Sequence, residues 1–513
     1  MADPRRLPVL GALACVVVLG AALGSTGTTG STGIGAQVPA VSQAPVSALS
    51  SSWFCAGARA EPGASDSGWL TFDNVGTSAV DATVRLVTPQ GYAGTMGERV
   101  PAGGTLTVPE RLINPPDGTP AHPKGTPGPW VGALVTLFGG KASVSQVVTT
   151  AHGSAAQPCA SEAAGKWYFA TGTTVRNARD EISLLNPYTV DAIADLSFTT
   201  DRGPAQPPAD QGVVVPARGL AVLDLGAQAQ LGLMQHVAVT VKARTGQIVA
   251  FETEIATTPP AGAPPLGTTG AVDAVVPVAG ITLTLGATQA STDWWWPEGA
   301  DGPGLNESYD VYNPGPRPAR LSLILVSGGA AGGAGGSDQL TVGAYGTAVV
   351  PTNGQPWALP DISYSTELES TNGVPVVAER SLAAAAPSPY RGLGALLGQA
   401  QAAKTWLLGT DPTLSARPSL AQVWLEVSDP GLFPASVSVE GISATGPVEL
   451  PGTRSFEVAA GQRAGLQLPI AVLGRATVVT SSVPILLEED SYSMLPKVGM
   501  NLAPAVELSS AQA

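Results

Sequence analysis

From Trp53 onward the chain alternates apolar and polar positions in short runs, each broken by Gly, Pro, Asn or Asp. A period of two sends successive side chains to opposite faces, so these runs predict half-buried strands rather than helices. Four landmarks recur in one order. The first is a Trp in an apolar strand followed by Gly: Trp53 in WFCAG, Trp167 in WYFATG, Trp294 to Trp296 in WWWPEG and Trp406 in WLLG. The second is strand, turn, strand, with Asn74, Asn186, Asn313 or Asp429 at the turn, three of them before or near Pro. Such a side chain bonds its own backbone, and Pro fixes φ. A third landmark is another strand, small turn and strand, as in RVPAGGTLTV and VVPARGLAVLDL. The fourth is a hairpin whose turn residue (Gly140, Gly246, Gly373 or Ser482) precedes Gln146, Glu252, Glu379 or Glu488 by six positions.

Trp53, Trp167, Trp294 and Trp406 are spaced 114, 127 and 112 residues apart, the size of one immunoglobulin-like unit. The expected fold class is therefore all-β: four tandem immunoglobulin-like β-sandwich repeats after an N-terminal membrane segment, with repeats at 53–165, 166–292, 293–404 and 405–513. Within the second, TTPPAGAPPLGTTG is expected to be a linker ahead of a closing strand. SGGAAGGAGGS (327–337) reads as a flexible loop, and GLGALLGQAQAA (392–403) as the one short helix.

The order WxFxxG, then an Asn-Pro turn, then GxPVVAER resembles an actinobacterial family of large exported proteins known only as a domain of unknown function, with tandem β-sandwich-like repeats. The resemblance extends from Trp53 to about Ala503 and is sharpest in the third copy, at Asn313-Pro314 and from Gly373 to Arg380. The fourth copy departs, with Asp429 for Asn and Glu488-Glu489 for Glu-Arg, and the first has Gln146 for Glu. It implies architecture and compartment, not chemistry.

The N-terminus changes the picture by setting the compartment. Arg5 and Arg6 precede an uncharged apolar run from Leu7 to Gly24, which predicts export with the bulk of the chain outside. Residues 1–24 are compatible with a cleaved signal or a retained anchor, and the lack of a clean Ala-x-Ala site favours the anchor. Residues 25–52, uncharged and rich in Ser, Thr, Gly and Ala, form a spacer of roughly 30 Å end to end. In an exported protein Cys55 and Cys159 are most simply a disulfide clasping the first repeat, the alternative being two buried thiols.

Lys and Arg total 25 against 39 Asp and Glu, a net charge of −14 that disfavours nucleic acid. His122, His152 and His236 are scattered, and no CxxC, HExxH or GxSxG occurs, so no cofactor, metal or catalytic group is expected. Asp301, Asn306, Glu307 and Asp310 match no calcium loop. Paired-carboxylate chemistry needs two groups about 5 to 10 Å apart, whereas the recurrent Glu252, Glu379 and Glu488 are expected a domain length from one another. They read as structural acids, paired with an Arg such as Arg380 or bonded to a neighbouring loop. The only binding signal is Trp294, Trp295 and Trp296, with at least one of the three indoles expected at the surface or a domain junction. These features point to a non-catalytic extracytoplasmic envelope protein: a membrane-tethered rod that scaffolds or contacts other envelope proteins. The alternative is binding of cell-wall polysaccharide through exposed Trp faces.

Overall fold

The computed structural model describes residues 41, 48–59, 67–110, 130–139, 141–228, 230–268, 271, 273–328, 334–358, 362–409, 421–450, 453, 455–469, 475–493 and 499–508. The expected membrane segment, most of the spacer, Gly140 and His122 lie outside them. Among the described residues no helix is long and apolar enough to cross a membrane.

The described chain is nearly all strand, with two 3-10 turns at Pro208–Asp210 and Leu225–Ala227. The strands fall into four successive groups. The first holds β1 (Ser51–Arg59), β2 (Ser67–Asn74), β3 (Val80–Thr88), β4 (Gly91–Val100), β5 (Gly104–Pro109), β6 (Trp130–Phe138), β7 (Ala142–Thr150) and β8 (Gly153–Pro158). The second holds β9 (Lys166–Phe169), β10 (Ala178–Asn186), β11 (Ala192–Thr200), β12 (Gly203–Ala205), β13 (Val213–Val215), β14 (Gly219–Asp224), β15 (Val237–Thr245), β16 (Val249–Ala256) and β17 (Gly280–Leu285). The third holds β18 (Asp293–Ala300), β19 (Leu305–Tyr312), β20 (Ala319–Ser327), β21 (Ala334–Val342), β22 (Thr347–Pro351), β23 (Ser363–Ser370), β24 (Val377–Ala384) and β25 (Gly392–Leu397). The fourth holds β26 (Ala403–Leu408), β27 (Ala421–Ser428), β28 (Ala435–Ser443), β29 (Gly446–Glu449), β30 (Phe456–Val458), β31 (Arg463–Leu468), β32 (Thr477–Ser493), β33 (Met500–Pro504) and β34 (Val506–Glu507).

Each group makes two antiparallel sheets with one repeated order. In the first these are β1-β6-β3-β4 and β5-β2-β7-β8; in the third, β18-β23-β20-β21 and β22-β19-β24-β25. The second group follows the same plan, with β9-β15-β11-β12 and β14-β10-β16-β17. In the fourth, the long β32 serves both sheets: its first part pairs with β26 and β28, its second with β27 and β33. Apolar residues of both sheets share a core; in the first pair Trp53, Phe72, Leu86, Val135 and Val144 meet in it. Burying each such side chain contributes roughly 1.5–3 kcal/mol.

The Asn turns show why the landmark recurs. Asn74 Nδ2 donates to the Ser78 and Pro101 carbonyls at 2.9 and 3.0 Å, while its Oδ1 accepts from Gly76 N–H at 2.8 Å. Asn186 and Asn313 repeat the pattern on Val190 and Val215, and on Arg317 and Gly343. One side chain thus closes its own turn and ties it to a distant strand end. Asp429 keeps the accepting half, from Gly431 N–H at 2.8 Å, but has no proton donor to replace the amide, and its buried Oδ2 is left without a partner.

The last strands of the four pairs close a circuit: β8 packs on β17, β17 on β25, β25 on β33, and β33 on β8. This replaces the expected rod, because residues 40–513 form one compact unit. The circuit also corrects the expected helix at 392–403, whose first half is β25. A Cβ on Gly280 would stand 2.6 Å from Leu393 N, and one on Gly394 would stand 2.6 Å from Leu502 Cγ. These glycines let the strands touch. The loop expected at 327–337 is shorter, since β21 begins at Ala334.

Candidate functional site

The recurrent positions occupy equivalent places on β7, β16, β24 and β32. Gln146 faces Leu70 and Gln157, Glu252 faces Ile182 and Thr284, Glu379 faces Asp310 and Leu397, and Glu488 faces Glu426 and Pro504. All four are buried. Glu252 and Glu379 do not stand a domain length apart as expected, since both come within reach of the Thr171 hydroxyl. The strands of Glu252, Glu379 and Glu488 lie at joints, because the Trp strand of the preceding pair packs on each: β1 on β16, β9 on β24, and β18 on β32.

Between the second and third pairs, the residues after Trp167 reach Glu379. Ala170 N–H donates to its Oε1 at 2.7 Å, and the Thr171 hydroxyl donates to its Oε2 at 2.8 Å. The same hydroxyl is 3.3 Å from Glu252 Oε2. One hydroxyl has one proton, so its lone pairs serve the second contact only when Glu252 is protonated. Burial, with Asp180 and Glu379 nearby, does hold the Glu252 carboxyl well above the usual range. Glu379 is pushed up to about 7 by burial, with the two donors opposing.

Between the third and fourth pairs the acids meet guanidinium groups. Arg380, beside Glu379 on β24, bonds Glu488 Oε1 at 2.9 Å through Nη1 and lies 3.2 Å from Glu307 and 3.5 Å from Asp490. Arg463 pairs with Glu298 and Glu426. The recurrent Glu488 therefore has an Arg from the preceding pair as partner, while Glu379 uses a loop. Burial lifts Glu298 to about 7 and Glu307 to about 6, against the opposing pull of the arginines.

At the first joint Gln146 replaces the acid and donates to Glu110 Oε2 at 2.8 Å; burial pushes Glu110 up to about 8. Gly57 passes so close that a Cβ would be 2.8 Å from Leu283. Across the closing joint, Ala156 N–H donates to Asn501 Oδ1 at 2.8 Å. Cys55 and Cys159 form a disulfide that closes a separation of 104 residues.

The Trp triplet is largely internal. Trp294 and Trp296 are 3 % and 0 % exposed, with indole N–H groups on the Val376 and Leu396 carbonyls at 2.8 and 3.1 Å. Trp167 makes the equivalent bond to Ile248, so this Trp is a strand anchor. Neither Trp294 nor Trp296 can offer a stacking face, which corrects their reading as a binding platform. Trp295 is half-buried, its neighbours Gln399 and Glu367 holding it at the edge of the third joint.

Sequence patterning missed a cleft of about 830 Å³ between the second and third pairs. Its polar wall includes His236, Glu254, Ser308, Asp310 and Ser381. Asp310 accepts from Ser381 Oγ at 2.9 Å and lies 3.7 Å from His236 Nδ1. The aspartate stands between serine and histidine, the wrong order for a histidine that activates a serine. The Glu254 carboxyl, lifted to about 7 by burial and by Asp310, makes no hydrogen bond or ion pair among the described residues. No His, Cys, Asp and Glu grouping among the described residues could hold a metal. Only the spacing of Glu254, two positions beyond Glu252, hinted at this wall, since the intervening partner strands come from another repeat.

A family of unknown function (DUF5719) matches residues 132–282, from β6 into β17. None of the curated proteins matches the chain in sequence. Among solved structures, Thermotoga maritima 1070 is similar at 17% identity over 22% of this chain and 95% of that one, with a TM-score of 0.20. Trypsin-activated alpha-2-macroglobulin from Escherichia coli is similar at 8% identity over 91% of this chain and 42% of that one, with a TM-score of 0.12.

Proposed function

We propose that this is a non-catalytic extracytoplasmic envelope protein, held to the membrane by its N-terminal segment, whose four immunoglobulin-like β-sandwich repeats act together as a scaffold for other envelope proteins. The observation that carries this reading is the use of recurrent acids across joints: Glu379 on Ala170 and Thr171, and Glu488 on Arg380. Side chains consumed in this way hold one body together and are withdrawn from chemistry at a surface. The disulfide supports an oxidising compartment. The actinobacterial resemblance supports the same compartment. Polysaccharide binding through the Trp triplet loses its support, because two of the three indoles are internal.

The test is protease digestion of intact cells. Cleavage of the region after Trp53 without lysis fits an exported body. Protection of that region until the cells are lysed would place it in the cytoplasm and overturn the reading.

A further inference from the structure

Both acid-rich joints carry buried carboxylates, yet only one carries cations. In the third-to-fourth joint Arg380 and Arg463 meet the acids. In the second-to-third joint Asp180, Glu252, Glu254, Asp310 and Glu379 gather, and no Lys or Arg lines the cleft beside them among the described residues. His236 is the one basic side chain of that wall. Asp201, also on the wall, already accepts from Gln235 N–H, and Glu307 belongs to Arg380.

A second observation separates the acids of the wall from those behind it. Glu252 and Asp180 are 3 % and 1 % exposed, and Glu252 Oε1 and Asp180 Oδ1 have no hydrogen-bond partner. They lie directly behind Gly172, which lines the cleft at a φ of +145°. A Cβ there would stand 3.2 Å from Glu252 Oε1 and 2.9 Å from Asp180 Oδ2. Val237 O, 2.5 Å from the same point, closes that side, so these two carboxylates stay behind the wall, and Glu254, which lines the cleft with no side-chain partner among the described residues, is the unpaired acid that faces the cavity. A buried carboxylate without a donor is costly, and an entering cation removes that cost.

We propose that the cleft between the second and third sheet pairs binds an organic ammonium ligand, its charged end at Glu254 and Asp310 and its body along Pro204, Leu266, Pro277 and Leu393. Those four residues line the same cavity, whose volume of about 830 Å³ exceeds the needs of a bare ion. The hydroxyls of Thr171, Ser308 and Ser381 supply further polar contacts for the body or the ammonium. This site does not depend on the scaffold reading; an envelope scaffold and a cytoplasmic protein would bind the same ligand class.

The test is calorimetric titration of the full chain at pH 8 with 1,5-diaminopentane, 1,5-pentanediol and calcium. The diamine is expected to bind at one site, at least tenfold more tightly than the diol, which has the same body without charge. Glu254→Gln should weaken the diamine at least tenfold, while Glu449→Gln, at an exposed acid of the fourth pair, should not. Equal affinity for diamine and diol would overturn the proposal, and that comparison needs no variant. So would absence of diamine binding, preference for calcium, or equal weakening by both substitutions.

Discussion

The Thr171 hydroxyl lies 2.8 Å from Glu379 Oε2, across the joint between the second and third sheet pairs and 208 residues away in sequence. With Ala170 N–H it gives a buried carboxyl two donors from a neighbouring unit. Glu379→Ala should strand both donors and destabilise the chain by about 1–3 kcal/mol, whereas Glu379→Gln, which keeps one acceptor, should cost less. Urea denaturation at pH 6 checks the difference. Equal losses would show that packing, not the bonds, holds the joint.

Arg380 is fully buried among Glu307, Glu488 and Asp490. Its removal leaves uncompensated acids, so Arg380→Met should destabilise by about 3–5 kcal/mol. The double variant Arg380→Met with Glu488→Gln should recover part of that loss in the same denaturation assay.

Asp429 occupies the place of three asparagines and leaves Oδ2 unpaired. Asp429→Asn restores the donating half of the turn and should stabilise by about 1 kcal/mol. A rise in the denaturation midpoint with an unchanged slope checks it.

How much of this was legible follows from which contacts are local. The Asn turns and the Trp anchors were readable because their partners lie in the same unit: Asn74 bonds Ser78, and Trp167 bonds Ile248. The joints were not, since Ala170 meets Glu379 only after two units have folded and packed. The Trp spacing set the expected unit boundaries but carried no contact between units. The misread helix has the same origin: Met500 and Leu502, which lie beside Gly392 and Gly394 and make the segment a strand of the circuit, come from another unit. The cleft at Glu254 combines strands from two repeats, so no window of sequence contains it.

The pH dependence has a definite sign. Burial raises Glu110 to about 8, Glu254, Glu298 and Glu379 to about 7, and Glu307 to about 6. Their unfolded values are near 4.5. The folded chain therefore binds more protons than the unfolded one between these limits. Stability should be fullest below about pH 4.5 for these groups and decline as pH rises through about 6 to 8. Glu110→Gln should flatten the upper end of a stability profile, near the pH at which Glu110 loses its proton.

The central claim is that the circuit of β8, β17, β25 and β33, with the bonds of Glu379 and Glu488 across two joints, locks four sheet pairs into one body. Differential scanning calorimetry of the full chain tests it most directly. One cooperative transition, with calorimetric and van't Hoff enthalpies in agreement, is the expected result. Separate transitions for the four pairs, unmoved by Arg380→Met or Glu379→Ala, would contradict it.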